Sequence, residues 1–152
     1  MKDILRGEIR YCKLPKREEK SNVQTGIRPC IIISNNANNR FSGIIKVMPI
    51  TSKIKKLNLP CHVLIEADVF NGLTVDSMAM AEQVVTIERE CVLEKIGKLS
   101  KELENQIYYA DMVQNGNIRE KYSEISSNFL EKCFAIINSG QTERAMELLN
   151  MV

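Results

Sequence analysis

"TGIRPCIIISNN", residues 25–36, sets an arginine between an isoleucine and a proline, at the doorway of the run Cys30-Ile31-Ile32-Ile33. Proline at 29 disfavours helical backbone in the residue before it, so Arg28 is held in β geometry. Proline also lacks an N–H, which makes it the first residue of a strand or part of an edge. Gly26 permits a sharp turn into that strand. Residues 29–34 then read as a continuous apolar strand buried on both faces. A guanidinium fixed at a strand mouth can meet a phosphate through two parallel hydrogen bonds. It can equally pair with an acid at a barrel rim, and the stretch alone leaves both open.

Working outward, residues 4–14 alternate weakly before Pro15 and the charged run KREEK, residues 16–20, which is a loop. "NNANNRFSG", residues 35–43, is turn chemistry, because asparagine tolerates left-handed backbone and folds onto its own main chain. Residues 44–50, 60–66 and 77–87 are three more strand candidates, with Asn71-Gly72 as a hairpin-type turn. Short strands with spaced turns argue a small β-barrel or sandwich. After Glu88 the period changes. Residues 89–96 read as a short helix closed by Gly97, and Ser100 caps a longer one carrying Leu103, Ile107, Ala110 and Val113 on one face. Asn115-Gly116 stops it. Helical spacing resumes at Ile118, Tyr122, Ile125, Phe129, Cys133 and Ile136 up to Ser139-Gly140, and Thr142 caps a last short helix. The chain therefore divides into a β-rich unit with a helix, residues 1–117, and an added helical hairpin, residues 118–152, which is expected to pack as a cap on its own barrel rather than to cover a dimer or dock on a partner.

Composition narrows the function. The 152 residues suit one compact domain with a short appendage. Residues 1–60 hold 13 of the 21 basic residues against four acids, a net of +9, while residues 61–152 carry a net of −7. Such asymmetry fits a polyanion-facing first half, or two halves that neutralise each other in the fold or across a dimer. No run of about 18 apolar residues exists to span a membrane, and the N-terminus shows no secretory pattern. Five scattered cysteines without C-x-x-C or a histidine at ligand spacing point to a reducing cytoplasm, with neither a disulfide framework nor a zinc site expected.

Several segments now combine. "RGEIRYCKLP", "GIRPCIIISNNANNRFSGIIKVMPITS", "LPCHVLIEA", "GLTVDSMAMAEQVVTIE" and "EKIGKLS" follow one another in order. Over roughly three quarters of the chain they resemble the MazF/PemK family of toxins, the mRNA interferases of type II toxin–antitoxin pairs. The resemblance implies an SH3-like barrel of the CcdB/MazF/PemK type with a C-terminal helix, a symmetric homodimer, and silencing by a cognate antitoxin. It also implies a metal-independent endoribonuclease without cofactor that cuts single-stranded RNA at a short sequence. Attack by the 2′-OH leaves a 2′,3′-cyclic phosphate and a 5′-OH. The family's catalytic arginine matches Arg28, and its catalytic threonine matches Thr51 of Pro49-Ile50-Thr51-Ser52. Gly26, Asn35, Asn39, Arg40, Ser52, Lys53 and Gln83 fall on the stretches implied to line the RNA groove. The asparagines serve equally as turn-formers, and Gln83 equally as a plain strand residue.

The residues bear on this chemistry independently. Cleavage through a 2′-OH needs proton transfer and donors for the charge building on phosphorus. His62 is the only histidine, so one chain has no histidine pair, and the four acids of residues 1–60 are too scattered to cage two ions. An arginine with a hydroxyl is what remains. A guanidinium with pKa above ~12 is a better electrostatic stabiliser than a base. His62 itself reads as structural. Thr25, Gly43 and Val85 depart from the family pattern, where glycine, proline and arginine are usual. The rival readings are a CcdB-like gyrase poison and an inactive homologue that only binds nucleic acid or a partner.

Overall fold

The computed structural model describes residues 3–117 and 127–150. Among the described residues there are seven strands: β1 (Glu8–Leu14), β2 (Gly26–Ile32), β3 (Ile44–Thr51), β4 (His62–Ile65), β5 (Ser77–Met80), β6 (Val85–Glu88) and β7 (Val92–Lys98). The helices are α1 (Asn36–Phe41), α2 (Lys101–Gln114), α3 (Ser127–Asn138) and α4 (Thr142–Asn150). The strands run β4-β5-β3-β2-β1-β7, with β6 also on β3, and every pairing is antiparallel. The fold is thus mainly β with C-terminal helices. No helix among the described residues is long and apolar enough to cross a membrane.

Why the 30–33 run is apolar throughout is now plain. Successive strand residues face opposite sides. Ile31 joins a core with Ile9, Met48, Ile50, Val63, Ile65 and the α2 residues Ile107 and Ala110. Cys30 and Ile32 join a second core with Cys12, Leu14, Ile45, Val47 and Ile87. The neighbouring Cys12 thiol, by hydrogen bonding, and burial hold the Cys30 thiol far above the ordinary thiol range, so it stays neutral and packs as a small hydrophobe.

In the order β6-β3-β2-β1-β7 the two edges are β6 and β7, yet only Arg89–Cys91 separates them in sequence. Ile87, Val85 and Val92 all reach the second core. Edges joined by three residues and sharing one core require the sheet to curl back on itself, the small-barrel solution to exposed edges.

Four expectations need correction. Residues 77–87 are two strands: Ile50 faces Ala79 and Val47 faces Val85, so three steps along β3 match six along its partner. The surplus forms a 3-10 turn, Ala81–Gln83. Residues 89–96 are a short turn and the start of β7, not a helix. Val92 and Ile96 are four apart, a spacing that shares one face in either geometry, and the open edge of β1 selects the strand. Gly97 closes no helix. A Cβ there would lie 2.3 Å from the carbonyl carbon and oxygen of Asn71, so glycine admits that loop against β7. The asparagine-rich stretch is a helix, α1, whose N-cap Asn35 accepts a hydrogen bond from the Asn38 amide at 2.8 Å.

Pro29 lies inside β2 rather than at its start, but the ladder to β3 begins only at Cys30, so its segment has a neighbour on one side. Asn71 is buried and organises the 66–76 connection between β4 and β5. Its amide donates to Glu66 O at 2.8 Å, and its Oδ1 accepts from the Asp68 and Leu73 amides. Ser100 caps α2 through the Leu103 amide, as read. Tyr109, Met112 and Val113 of α2 pack with Cys133, Phe134 and Ile137 of α3 and Met146 of α4. Ile118, Tyr122 and Ile125 lie outside the described residues.

Candidate active site

The last β2–β3 pair is Cys30 opposite Pro49. Two residues further along that register, Arg28 stands opposite Thr51. There the strands part: Arg28 pairs with Cys12 on β1, and Thr51 with Met78 on β5. The splay leaves a cleft of about 460 Å³ that both residues line, within the usual range for ligand sites. Ser52 and Lys53 line it too, with Tyr11, Gln24, Thr74 and Ser77. Among the described residues, two cations and five hydroxyls therefore border the space, and no carboxylate, imidazole or thiol does. A larger cavity of about 990 Å³ lies elsewhere, among Glu8, Arg10, Glu88, Glu90 and Glu94. Its acids, and an Arg10 already paired with Glu8 at 2.8 Å, make it a poor seat for an anion.

Arg28 is held from behind. Its Nε donates to Thr25 O at 3.0 Å, and one terminal nitrogen donates to the Gln24 side-chain carbonyl. Gln24 is itself anchored, because its amide donates to Gln83 Oε1 at 3.0 Å while Gln83 Nε2 donates to Asn22 O at 3.1 Å. Gln83 thus grips the approach to β2 from the Ala81–Gln83 turn. Thr51 Oγ1 accepts from the Lys53 amide at 3.1 Å, which leaves its hydroxyl proton available to an acceptor.

The remaining sequence candidates scatter. Gly26 is exposed at the first position of β2 with φ +78°, a conformation that suits glycine, and sits outside the cleft lining. Asn35 and the exposed Arg40 belong to α1, away from Arg28 and Thr51. Asn39 is fully buried, with its amide donating to Ser34 O at 2.9 Å and accepting from the Ser34 hydroxyl. This gives it a structural post rather than a place in a groove. Val85 packs against the second core. Sequence reasoning missed Tyr11, Gln24, Thr74 and Ser77, since nothing local to them marks a shared cleft.

A small curled antiparallel barrel, backed by a helix and opening on a cation-and-hydroxyl cleft, defines the class by its fold. The chain belongs to the PemK-like, MazF-like toxin family of type II toxin–antitoxin systems, whose family profile matches residues 5–110. It is 34% identical over 104 residues to Endoribonuclease EndoA of Bacillus subtilis, covering 68% of this chain and 87% of that protein. Among solved structures it resembles MazF from Deinococcus radiodurans, with TM-score 0.65, 19% identity, and 76% and 99% of the two chains covered. It also resembles a mycobacterial endoribonuclease held in complex with its cognate antitoxin, with TM-score 0.60, 23% identity, and 74% and 95% covered.

Proposed function

We propose that this chain is a metal-independent endoribonuclease toxin that cuts single-stranded RNA at a short sequence and is silenced by a cognate antitoxin. The observation that carries the reading is the single cleft shared by Arg28 and Thr51, bordered by cations and hydroxyls. A phosphodiester seated there meets the open side of the Arg28 guanidinium and the Thr51 hydroxyl. The ribose 2′-OH attacks phosphorus, the bond to the 5′ oxygen breaks, and the products are a 2′,3′-cyclic phosphate and a 5′-OH. Charge grows on the phosphoryl oxygens during this step, and fixed donors stabilise it without reorganising. Lys53 adds long-range attraction for the backbone. The relative EndoA, named an endoribonuclease, supports the same assignment.

The working form in this reading is a homodimer in the cytoplasm. Val69, Phe70 and Val75 are exposed on the loop that also supplies Thr74 to the cleft, which is apolar surface suited to a second chain. An antitoxin segment lying in the cleft would exclude RNA.

Purified protein incubated with mixed single-stranded RNA in EDTA is expected to yield fragments ending in cyclic phosphate. Arg28→Ala and Thr51→Ala, each still folded by circular dichroism, are expected to lose them. Intact RNA with gyrase inhibited would favour the CcdB-like reading, and RNA bound but uncut would favour an inactive binding homologue.

A further inference from the structure

Away from the cleft, three groups with metal-ligand chemistry converge. The Cys61 sulfur, a His62 ring nitrogen and a Glu82 carboxylate oxygen all lie within 4.8 Å of one another. They come from the residue before β4, from its first residue and from the Ala81–Gln83 turn, so no sequence motif announces them. The imidazole is already oriented. Nδ1 lies 3.0 Å from Lys56 O and 3.2 Å from Lys55 O. Both oxygens only accept, so Nδ1 carries a proton and donates it. Nε2 is left facing Glu82 Oε1 at 2.6 Å. A backbone carbonyl behind the distal ring nitrogen is the support that metal-binding histidines characteristically have. Lys56 takes a left-handed φ of +52°, the one non-glycine among the described residues to do so, in the same loop that presents these carbonyls.

We propose that Cys61, His62 and Glu82 form a three-ligand site for a borderline-soft divalent cation, Zn²⁺ above all. One thiolate, one imidazole and one carboxylate match its preferences, and hard cations such as Mg²⁺ are disfavoured by the sulfur and nitrogen. A tetrahedral ion with ligands at about 2.0–2.3 Å sets neighbouring donors roughly 3.3–3.6 Å apart. The His62–Glu82 contact therefore opens by under about 1 Å as the ion replaces the proton between them. His62 also lines a cavity of about 490 Å³ beside α2 and α3. None of the three residues lines the cleft of Arg28 and Thr51. The ion would instead link the loop after Thr51, through the Lys55 and Lys56 carbonyls, to the turn that carries Gln83.

Tag-free full-length protein, stripped with chelator and titrated with Zn²⁺, is expected to take up one ion per chain by calorimetry and elemental analysis. Co²⁺ in its place should give tetrahedral d–d bands together with sulfur-to-metal charge transfer. Cys61→Ser and Glu82→Gln, folded by circular dichroism, should each weaken uptake at least ~10-fold, and Cys61→Ser should remove the charge-transfer band. Cys91→Ser should change neither. No stoichiometric uptake would leave an ion pair only between His62 and Glu82, and overturn the proposal. Undiminished uptake in the Cys61→Ser/Glu82→Gln double variant would do the same. Both readouts are independent of RNA cleavage.

Discussion

Arg28 uses Nε on Thr25 and one N–H on Gln24, so three of its five N–H donors remain for an anion. That division of labour makes the residues behind it matter as much as those beside it. Gln83 touches Asn22 and Gln24 rather than the cleft, which identifies it as a positioning residue for Arg28. Gln83→Leu removes both grips and is expected to lower kcat, by up to ~10²-fold, with KM changed less. Gln83→Glu keeps the acceptor for the Gln24 amide and should recover part of the loss. End-mapping of the products distinguishes this role from base contact: a positioning residue leaves the cleavage sequence unchanged, whereas a base-reading residue shifts it. The sequence placed Gln83 near the substrate but gave no hint of this grip, because its partners lie about sixty residues away.

At the scale of elements, β7 shows what local pattern conveys and what it does not. Its apolar spacing suits helix and strand alike, and only the vacant edge of β1 decides between them. By contrast α2 was legible from its cap, its one-sided apolar face and its Asn-Gly stop, all local features. The turn Ala81–Gln83 was illegible because a bulge is defined by the register of a partner strand. Gly97 offers a direct test of the β7 placement. Gly97→Ala drives a methyl into the Asn71 backbone and is expected to cost about 1–3 kcal/mol or more in urea unfolding. An unchanged midpoint would mean that the loop does not pack there.

Glu8 ties β1 to β7, accepting from Arg10 at 2.8 Å and from Lys95 at 3.0 Å. Burial pushes its carboxyl up, but the hydrogen bonds from Lys95, the Leu5 amide and Arg10 outweigh this and hold it below its ordinary 4.5. A depressed folded-state pKa gives stability that is fully present above the unfolded value. It is lost as pH falls through the folded one. Urea midpoints should therefore be insensitive to Glu8 from neutrality down to about pH 4.5 and decline below it. Glu8→Gln should flatten that acid limb while lowering stability at pH 7.

For the whole molecule, the strands and their connections line the cleft, one face of α2 packs on the barrel core, and the terminal helices cover another face of α2. The family match ends at residue 110, before those helices begin. Ending the chain after Asn117 bares Tyr109, Met112 and Val113, which are buried in the full chain. Residues 1–117 are expected to unfold at lower urea and to self-associate through that apolar patch, while folded material still cleaves RNA. Loss of cleavage with an intact circular dichroism spectrum would give the hairpin a part in catalysis. The charge asymmetry was legible from composition and agrees with a basic residue pair in the cleft. The cleft itself was not, since it arises where two strands part.

The most direct test of the central claim is single-turnover cleavage of one mapped RNA site, with ribose or 2′-deoxyribose at the scissile nucleotide, by the native protein and by Arg28→Ala. The cation-and-hydroxyl cleft predicts cleavage of the ribose substrate alone. It also predicts a loss of roughly 10²–10³-fold, about 2.7–4 kcal/mol, in the variant. Undiminished cutting of the deoxy-substituted strand, or an Arg28→Ala rate within a few-fold of native, would contradict it.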